Sequence, residues 1–253
     1  MQRAGHVPSG PGRAARQAGS RNATLGERRI GRAYGARPRV FNAWPPLAAA
    51  LLGLGLAAGS ASAAAPSPAI VDFGDSLTAG YGLMPEEAFP AQLEAWLHRH
   101  GVAARVVNAG VSGDTTAGGL ARLDWALADK PDLVILALGA NDALRGIDPA
   151  TVRDNLDKMI QKIDARGAKV LLLGMLAPPN WGAAYQRDFD RIYPDLARQR
   201  RVPLYPFFLE GVAMKPSLNQ PDGLHPNAKG VGVLVDHIGP VVARLIARPG
   251  GGA

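Results

Sequence analysis

The sequence, 253 residues long, contains no cysteine. That absence excludes disulfides, thiolate zinc sites and a cysteine nucleophile, so any covalent catalysis falls to serine, threonine, lysine or a carboxylate. It leaves the compartment open. Acid is scarce in one region only: residues 1–63 hold nine arginines against the single acid Glu27, whereas residues 64–253 hold 19 lysines and arginines against 20 acids. The net charge of +7 therefore belongs to the leading segment, and a nucleic-acid function loses its main support. The leading apolar run, Leu47 to Ala58, is too short for a spanning helix. Internal repeats and heptads are also missing. With 47% hydrophobic residues, the chain is long enough for one well-buried domain, and nothing points to two.

Residues 1–42 are rich in glycine, alanine and arginine without apolar periodicity, a composition that does not offset the entropy of ordering a chain. Trp44-Pro45-Pro46, the apolar run and the small-x-small triplet Ala61-Ser62-Ala63 follow, which reads as an export signal with its cleavage site. A membrane anchor retained in the mature protein is the alternative. The expected organisation is a disordered arginine-rich leader plus signal peptide over residues 1–65 and one folded domain over residues 66–253, periplasmic or secreted after cleavage.

From Ala69 onward strand-like and helix-like segments alternate, the pattern of a mostly parallel sheet with helices on its faces. Strands are expected at Ala69–Phe73, Ala104–Asn108, Leu133–Leu138, Lys169–Leu173 and, weakly, Pro203–Tyr205. Helices are expected near Phe89–His100, Ala117–Ala128, Pro149–Arg166, Trp181–Gln199 and Asn227–Ala247. The run Leu133–Leu138 is apolar without alternation, which suits a central strand buried on both faces. Asp148, Pro149 and Gly167 bracket the third helix, and Val152, Leu156, Met159, Ile160 and Ile163 share its apolar face.

In such a sheet the loops after the strand carboxyl ends converge on one rim. The first apolar run breaks into Gly74-Asp75-Ser76-Leu77, which makes Ser76 the candidate nucleophile. It lacks the Gly-x-Ser-x-Gly form of the α/β-hydrolase elbow, and an ordinary strand-to-turn role is the plain alternative. Serine chemistry needs a base, a carboxylate that holds the base, and donors aimed at the developing oxyanion. Of five histidines, His6 lies in the leader, His98 and His100 close the first helix and His237 sits in the last one. Only His225 occupies a loop, with Asp222 three residues before it, so a tight turn can set the carboxylate against one imidazole nitrogen while the other faces Ser76. An incidental histidine in a Pro-Asp-Gly turn is the competing reading. A metal site is disfavoured, since no second histidine or acidic cluster stands at ligand spacing, and no cofactor is implied. The amides of Ser76 and Gly113 and the side chain of Asn141 are candidate oxyanion donors. Alternatively Gly113 merely turns the chain and Asn141 or Asp142 caps the next helix.

Together these loops resemble the sequence blocks of the SGNH (GDSL) hydrolase superfamily: Gly74-Asp75-Ser76-Leu77, Gly113 within the loop 108–115, Gly139-Ala140-Asn141-Asp142, and Asp222-Gly223-Leu224-His225-Pro226, in family order from about Ile70 to Leu245. Longer matches at Ser112-Gly113-Asp114-Thr115, Gly119-Leu120-Ala121-Arg122-Leu123, Asn141-Asp142-Ala143-Leu144-Arg145-Gly146 and Pro203-Leu204-Tyr205-Pro206-Phe207-Phe208 are similar to the exported bacterial thioesterase I, arylesterase and lysophospholipase subgroup. The resemblance implies a flavodoxin-like α/β/α domain with a mostly parallel five-stranded sheet. It implies Ser76 as nucleophile, His225 as base and Asp222 as its orienting acid, with Ser76, Gly113 and Asn141 forming the oxyanion hole. The expected substrates are small carboxylic esters, acyl thioesters or lysophospholipids, with no nucleic acid and no stable protein partner. The loop 174–182, similar but not identical to the subgroup's, offers Met175, Leu176, Pro178 and Trp181 as acyl-site lining or as plain core and turn. Two other readings compete: a carbohydrate O-deacetylase with a short polar pocket, and a non-catalytic surface-binding module that keeps the fold without the chemistry.

Overall fold

The computed structural model describes residues 67–247; the leader, the export signal and the boundary between residues 65 and 66 lie outside the described residues. In chain order the elements are β1 (Ala69–Gly74), α1 (Ser76–Ala79), α2 (Phe89–Arg99), β2 (Arg105–Gly110), α3 (Thr116–Ala126), β3 (Leu133–Ala137), α4 (Ala140–Leu144), α5 (Pro149–Ala165), β4 (Lys169–Leu173), α6 (Ala183–Asp190), α7 (Ile192–Arg200), β5 (Leu204–Tyr205) and α8 (Ala228–Ala247). All five strands are parallel, in the order β2-β1-β3-β4-β5. This is the flavodoxin-like order, in which β1 lies between β2 and β3 and the ligand crevice opens where the winding reverses.

Burial explains the strands. Every residue of β3 is buried, and β1 is buried from Ile70 to Gly74, as unalternating apolar runs covered on both faces require. Helices cover the two faces, with α2 packed on α8 and α5 packed between α3 and α7. On α5 the cap is as expected, with Asp148 Oδ1 accepting from the Ala150 amide at 3.3 Å. The apolar face expected for this helix is fully buried, each side chain contributing about 1.5–3 kcal/mol of transfer free energy. Gly239 of α8 lets the helix lie against the Trp96 indole of α2, where a Cβ would come within 2.6 Å of the ring.

Two expectations need correction. A single helix over Trp181–Gln199 is instead a 3-10 turn, Pro179–Trp181, followed by α6 and α7, which join at Arg191. Pro194 explains the break: it has no N–H to give to the Asp190 carbonyl, and its ring crowds that carbonyl. The second strand runs two residues further than expected, to Gly110, because Gly74 and Gly110 pair across β1 and β2. The short helices α1 and α4 carry too few apolar residues for any periodicity to reveal them.

On the α2–α8 side of β1, Asp72 is fully buried. Its Oδ1 accepts from the Thr78 hydroxyl at 3.3 Å, and its Oδ2 has no hydrogen-bond partner among the described residues. Burial pushes this carboxyl up to about 8, with the neighbouring Asp75 adding to the shift and the Thr78 hydrogen bond opposing it. The native state thus holds a proton that the unfolded chain releases near pH 4, and the associated stability is lost as pH rises toward 8. The expected outcome is that Asp72→Asn loses less stability than the parent between pH 5 and pH 9 in urea melts. Equal pH slopes for the two proteins would remove Asp72 as the cause.

Candidate active site

The nucleophile segment is shaped by close approach. At Gly74, the last residue of β1, a Cβ would lie 2.1 Å from Thr78 Oγ1 and 2.8 Å from the Ala137 carbonyl oxygen. Asp75 then caps α1, its Oδ1 accepting from the Leu77 amide at 3.0 Å, and Gly80 closes the turn in the left-handed region at φ +79°. Ser76, the first residue of this turn, is presented at the strand's carboxyl end.

His225 Nε2 lies 2.9 Å from Ser76 Oγ, and His225 Nδ1 lies 2.6 Å from Asp222 Oδ2. The other oxygen of Asp222 accepts from the amides of Leu224 at 2.9 Å and His225 at 3.0 Å, so one carboxylate fixes both the imidazole and the backbone that carries it. These amides, that of His225 foremost, together with the imidazole, lower the Asp222 carboxyl to about 2. An ionised Asp222 selects the tautomer protonated at Nδ1, which leaves Nε2 to accept from the Ser76 hydroxyl. Gln220 ties this loop to the nucleophile segment: its Nε2 donates to the carbonyls of Tyr81 at 2.7 Å and Pro226 at 3.0 Å. The Tyr81 ring lies against the imidazole with centroids 4.7 Å apart.

The opposite wall is α4. Gly139 enters it at φ +117°, where a Cβ would strike the buried Tyr193 hydroxyl at 2.1 Å. Asn141 Nδ2 donates to Asp75 Oδ2 at 3.3 Å, which ties α4 to the residue before Ser76. Asp75 is itself buried, and burial raises its carboxyl to about 6 against the opposing hydrogen bonds from Leu77 and Asn141. Asp142 does not cap the next helix, a task taken by Asp148; it is buried and accepts from the Thr116 amide at 2.8 Å and the Thr116 hydroxyl at 2.7 Å, joining α4 to the start of α3. Gly113 lies at φ +82° with its carbonyl accepting from Arg145 Nη2 at 2.9 Å.

The structure thus brings Ser76, Asp222 and His225 into one hydrogen-bonded series. Of the other described histidines, His98 meets the Ala104 carbonyl and His100 meets the Trp96 carbonyl and stacks on its indole, so both are tied into the surroundings of α2. Among the loop residues, Met175 is buried in the core, Pro178 is half-buried, and Leu176 and Trp181 are exposed. Trp181 Nε1 donates to the Ala143 carbonyl at 2.9 Å and its ring covers Gly146, which links this loop to α4. Sequence reasoning gave no role to Arg122, Gln220 or Arg145. Arg122 and Arg145 did fall inside the longer matching blocks, and that was their only signal.

A serine, an imidazole and a carboxylate in series at the switch point of a parallel sheet define a serine hydrolase. Residues 73–233 match the GDSL-like Lipase/Acylhydrolase family, and the chain belongs to that family. Its relatives include esterase TesA of Pseudomonas aeruginosa, 47% identical over 174 residues covering 68% of this chain and 87% of TesA. Thioesterase 1/protease 1/lysophospholipase L1 of Escherichia coli K12 is 42% identical over 166 residues, 65% of this chain and 78% of the relative. The crystal structure of AlinE4, an SGNH-hydrolase family esterase, superposes with a TM-score of 0.61 at 52% identity, covering 73% of this chain and 98% of that one. The protein is accordingly an SGNH-type serine esterase that hydrolyses small-molecule ester bonds.

Asp142→Ala strands two buried donors of Thr116 and is expected to cost about 2–5 kcal/mol of stability. Asp142→Asn, which keeps one acceptor, should cost less. Equilibrium urea unfolding measures both, and an unchanged midpoint for the alanine variant would show that the Thr116 bonds are replaced rather than lost.

Proposed function

We propose that the enzyme hydrolyses carboxylic esters and acyl thioesters, lysophospholipids among them, through an acyl-enzyme on Ser76. The observation that carries this reading is the unbroken series Ser76 Oγ, His225 Nε2, His225 Nδ1 and Asp222 Oδ2, with contacts of 2.9 and 2.6 Å. Ser76 Oγ attacks the acyl carbonyl while its proton passes to His225 Nε2, and ionised Asp222 steadies the resulting imidazolium. Negative charge then grows on the carbonyl oxygen, where the amides of Ser76 and Gly113 and the Nδ2 group of Asn141 serve as donors. His225 returns its proton to the departing alcohol or thiol. In the second half-reaction it takes a proton from water, whose oxygen attacks the acyl carbon, and gives that proton to Ser76 Oγ as the acyl–Oγ bond breaks and the free acid leaves.

The acyl chain is assigned to Leu176, Pro178 and Trp181, apolar residues of the loop that Trp181 ties to the Ala143 carbonyl of α4; Met175 of the same loop is buried. This apolar character favours acyl groups longer than acetyl. The names of the relatives, an esterase and a thioesterase/lysophospholipase, support the same range. Residues 1–65, with the small-residue triplet at 61–63, act as a leader that exports the domain of residues 66–253 to the periplasm or beyond.

Hydrolysis of p-nitrophenyl esters from acetyl to palmitoyl tests the reading. Ser76→Ala should abolish turnover. Asn141→Ala should leave folding intact and reduce kcat roughly 10²–10³-fold. Full activity in folded Ser76→Ala protein would end the acyl-enzyme proposal, and an undiminished kcat in Asn141→Ala would remove that side chain from the oxyanion hole.

A further inference from the structure

Below the site, one charged side chain spans two of the loops that meet there. Arg122 of α3 donates from Nε to Asp114 Oδ2 at 2.6 Å, from Nη1 to the Ala109 carbonyl at 2.8 Å and from Nη2 to the Gly74 carbonyl at 2.8 Å. Its guanidinium carbon lies 4.1 Å from the centroid of the Phe73 ring, and only 21% of the side chain is exposed. The three acceptors are placed tellingly. Gly74 ends the nucleophile strand two residues before Ser76, Ala109 lies one residue before the end of β2, and Asp114 directly follows Gly113.

Gly113 sits in an exposed turn closed by the Asp114 amide on the Val111 carbonyl at 3.0 Å. The residue is exposed, and a Cβ built there would meet Arg145 Nη2 alone, at 3.7 Å, so on that side a hydrogen bond rather than a packed side chain meets it. Arg145 takes the Gly113 carbonyl from the solvent side, while Arg122 takes the next residue's carboxylate from within. We propose that Arg122 is a positioning residue that sets the spacing between the Ser76 and Gly113 amides, and so the geometry in which the oxyanion is held. The inference rests on the oxyanion assignment made above. A planar, permanently charged fork suits the task, because it meets two carbonyls and a carboxylate at once; a lysine ammonium satisfies fewer of them and fixes no plane.

A purely structural ion pair would lower the melting temperature and leave the chemistry of folded molecules untouched. A positioning role predicts more. In the full-length chain, Arg122→Ala is expected to reduce kcat about 10–100-fold with KM nearly unchanged. The rate at which a fluorophosphonate modifies Ser76 should fall by the same factor, because its phosphoryl oxygen uses the same donors. The pH profile of kcat/KM should stay in place, since His225 and Asp222 are not touched. Arg122→Lys should recover part of the loss, and it decides the matter alone if the alanine variant does not fold.

Wild-type kcat and phosphonylation rates in the folded variants would overturn the inference, as would a rise in KM with kcat preserved. Ser76→Ala is measured beside them. Activity that survives in that variant overturns the catalytic reading itself, whereas Ser76-dependent activity that is indifferent to Arg122 overturns only the arginine's role.

Discussion

The site depends on the close approach of three neighbouring strand ends. Gly74 of β1 pairs with Gly110 of β2 on one side and Ala137 of β3 on the other, so the loops carrying Ser76, Gly113 and Asn141 leave the sheet side by side. The approach is too close for side chains. A Cβ at Gly110 would sit 2.2 Å from the Ala79 amide and 2.8 Å from the Asp75 carbonyl oxygen, just as one at Gly74 would strike Thr78 and Ala137. Two glycines at one level of the sheet therefore let a four-residue helical turn fold back over the strand ends, and that turn is what aims the serine.

Crowding loops this tightly buries polar groups, and the structure meets the cost with acids. Asp75 is held by the Leu77 amide and Asn141, Asp142 by the two donors of Thr116, and Asp114 by Arg122. Asp72 and Asp75 nonetheless carry raised pKa values, because burial outweighs the hydrogen bonds each receives. Asp222 of the triad, at the surface and facing three donors, is driven the other way. The carboxylate next to the base thus stays ionised through neutral pH, while that of Asp72 stays protonated. Environment, not residue type, assigns these different states.

How much of this was legible in the sequence follows from the range of the interactions concerned. The strands β3 and β4 and the helix α5 are written in local patterns, an unbroken apolar run or a capped 3.6-residue stripe, and they lie within a residue of where those patterns put them. His225 could be found because three other histidines had evident helical places. The break between α6 and α7 hinged on one proline inside an otherwise acceptable helical stretch. Arg122 was out of reach for a different reason: its partners Gly74, Ala109 and Asp114 are separated from it by 48, 13 and 8 residues, and no spacing rule joins them. The same holds for Gln220, which reaches Tyr81 across 139 residues. Residues that act directly carry a motif, whereas residues that hold them in place are defined only once the chain has folded.

That division extends to what the site accepts. On the proposed mechanism, the donors and acceptors that surround the reacting carbonyl are fixed by strand ends, caps and buried acids, and they address only features common to esters and thioesters: a carbonyl oxygen that gains charge and a leaving atom that needs a proton. The proposed acyl edge is different in kind. Leu176 and Trp181 stand exposed on a loop, anchored to α4 chiefly through the Trp181 indole on the Ala143 carbonyl. Apolar contact of this sort grows with buried area and discriminates between chains differing by one methylene by only about 1–3 kcal/mol. If this loop receives the acyl chain as proposed, polar groups common to all substrates beside an apolar edge favour breadth of acyl group over selectivity. Narrowing the range would require changes along residues 175–181 rather than at Ser76, His225 or Asp222.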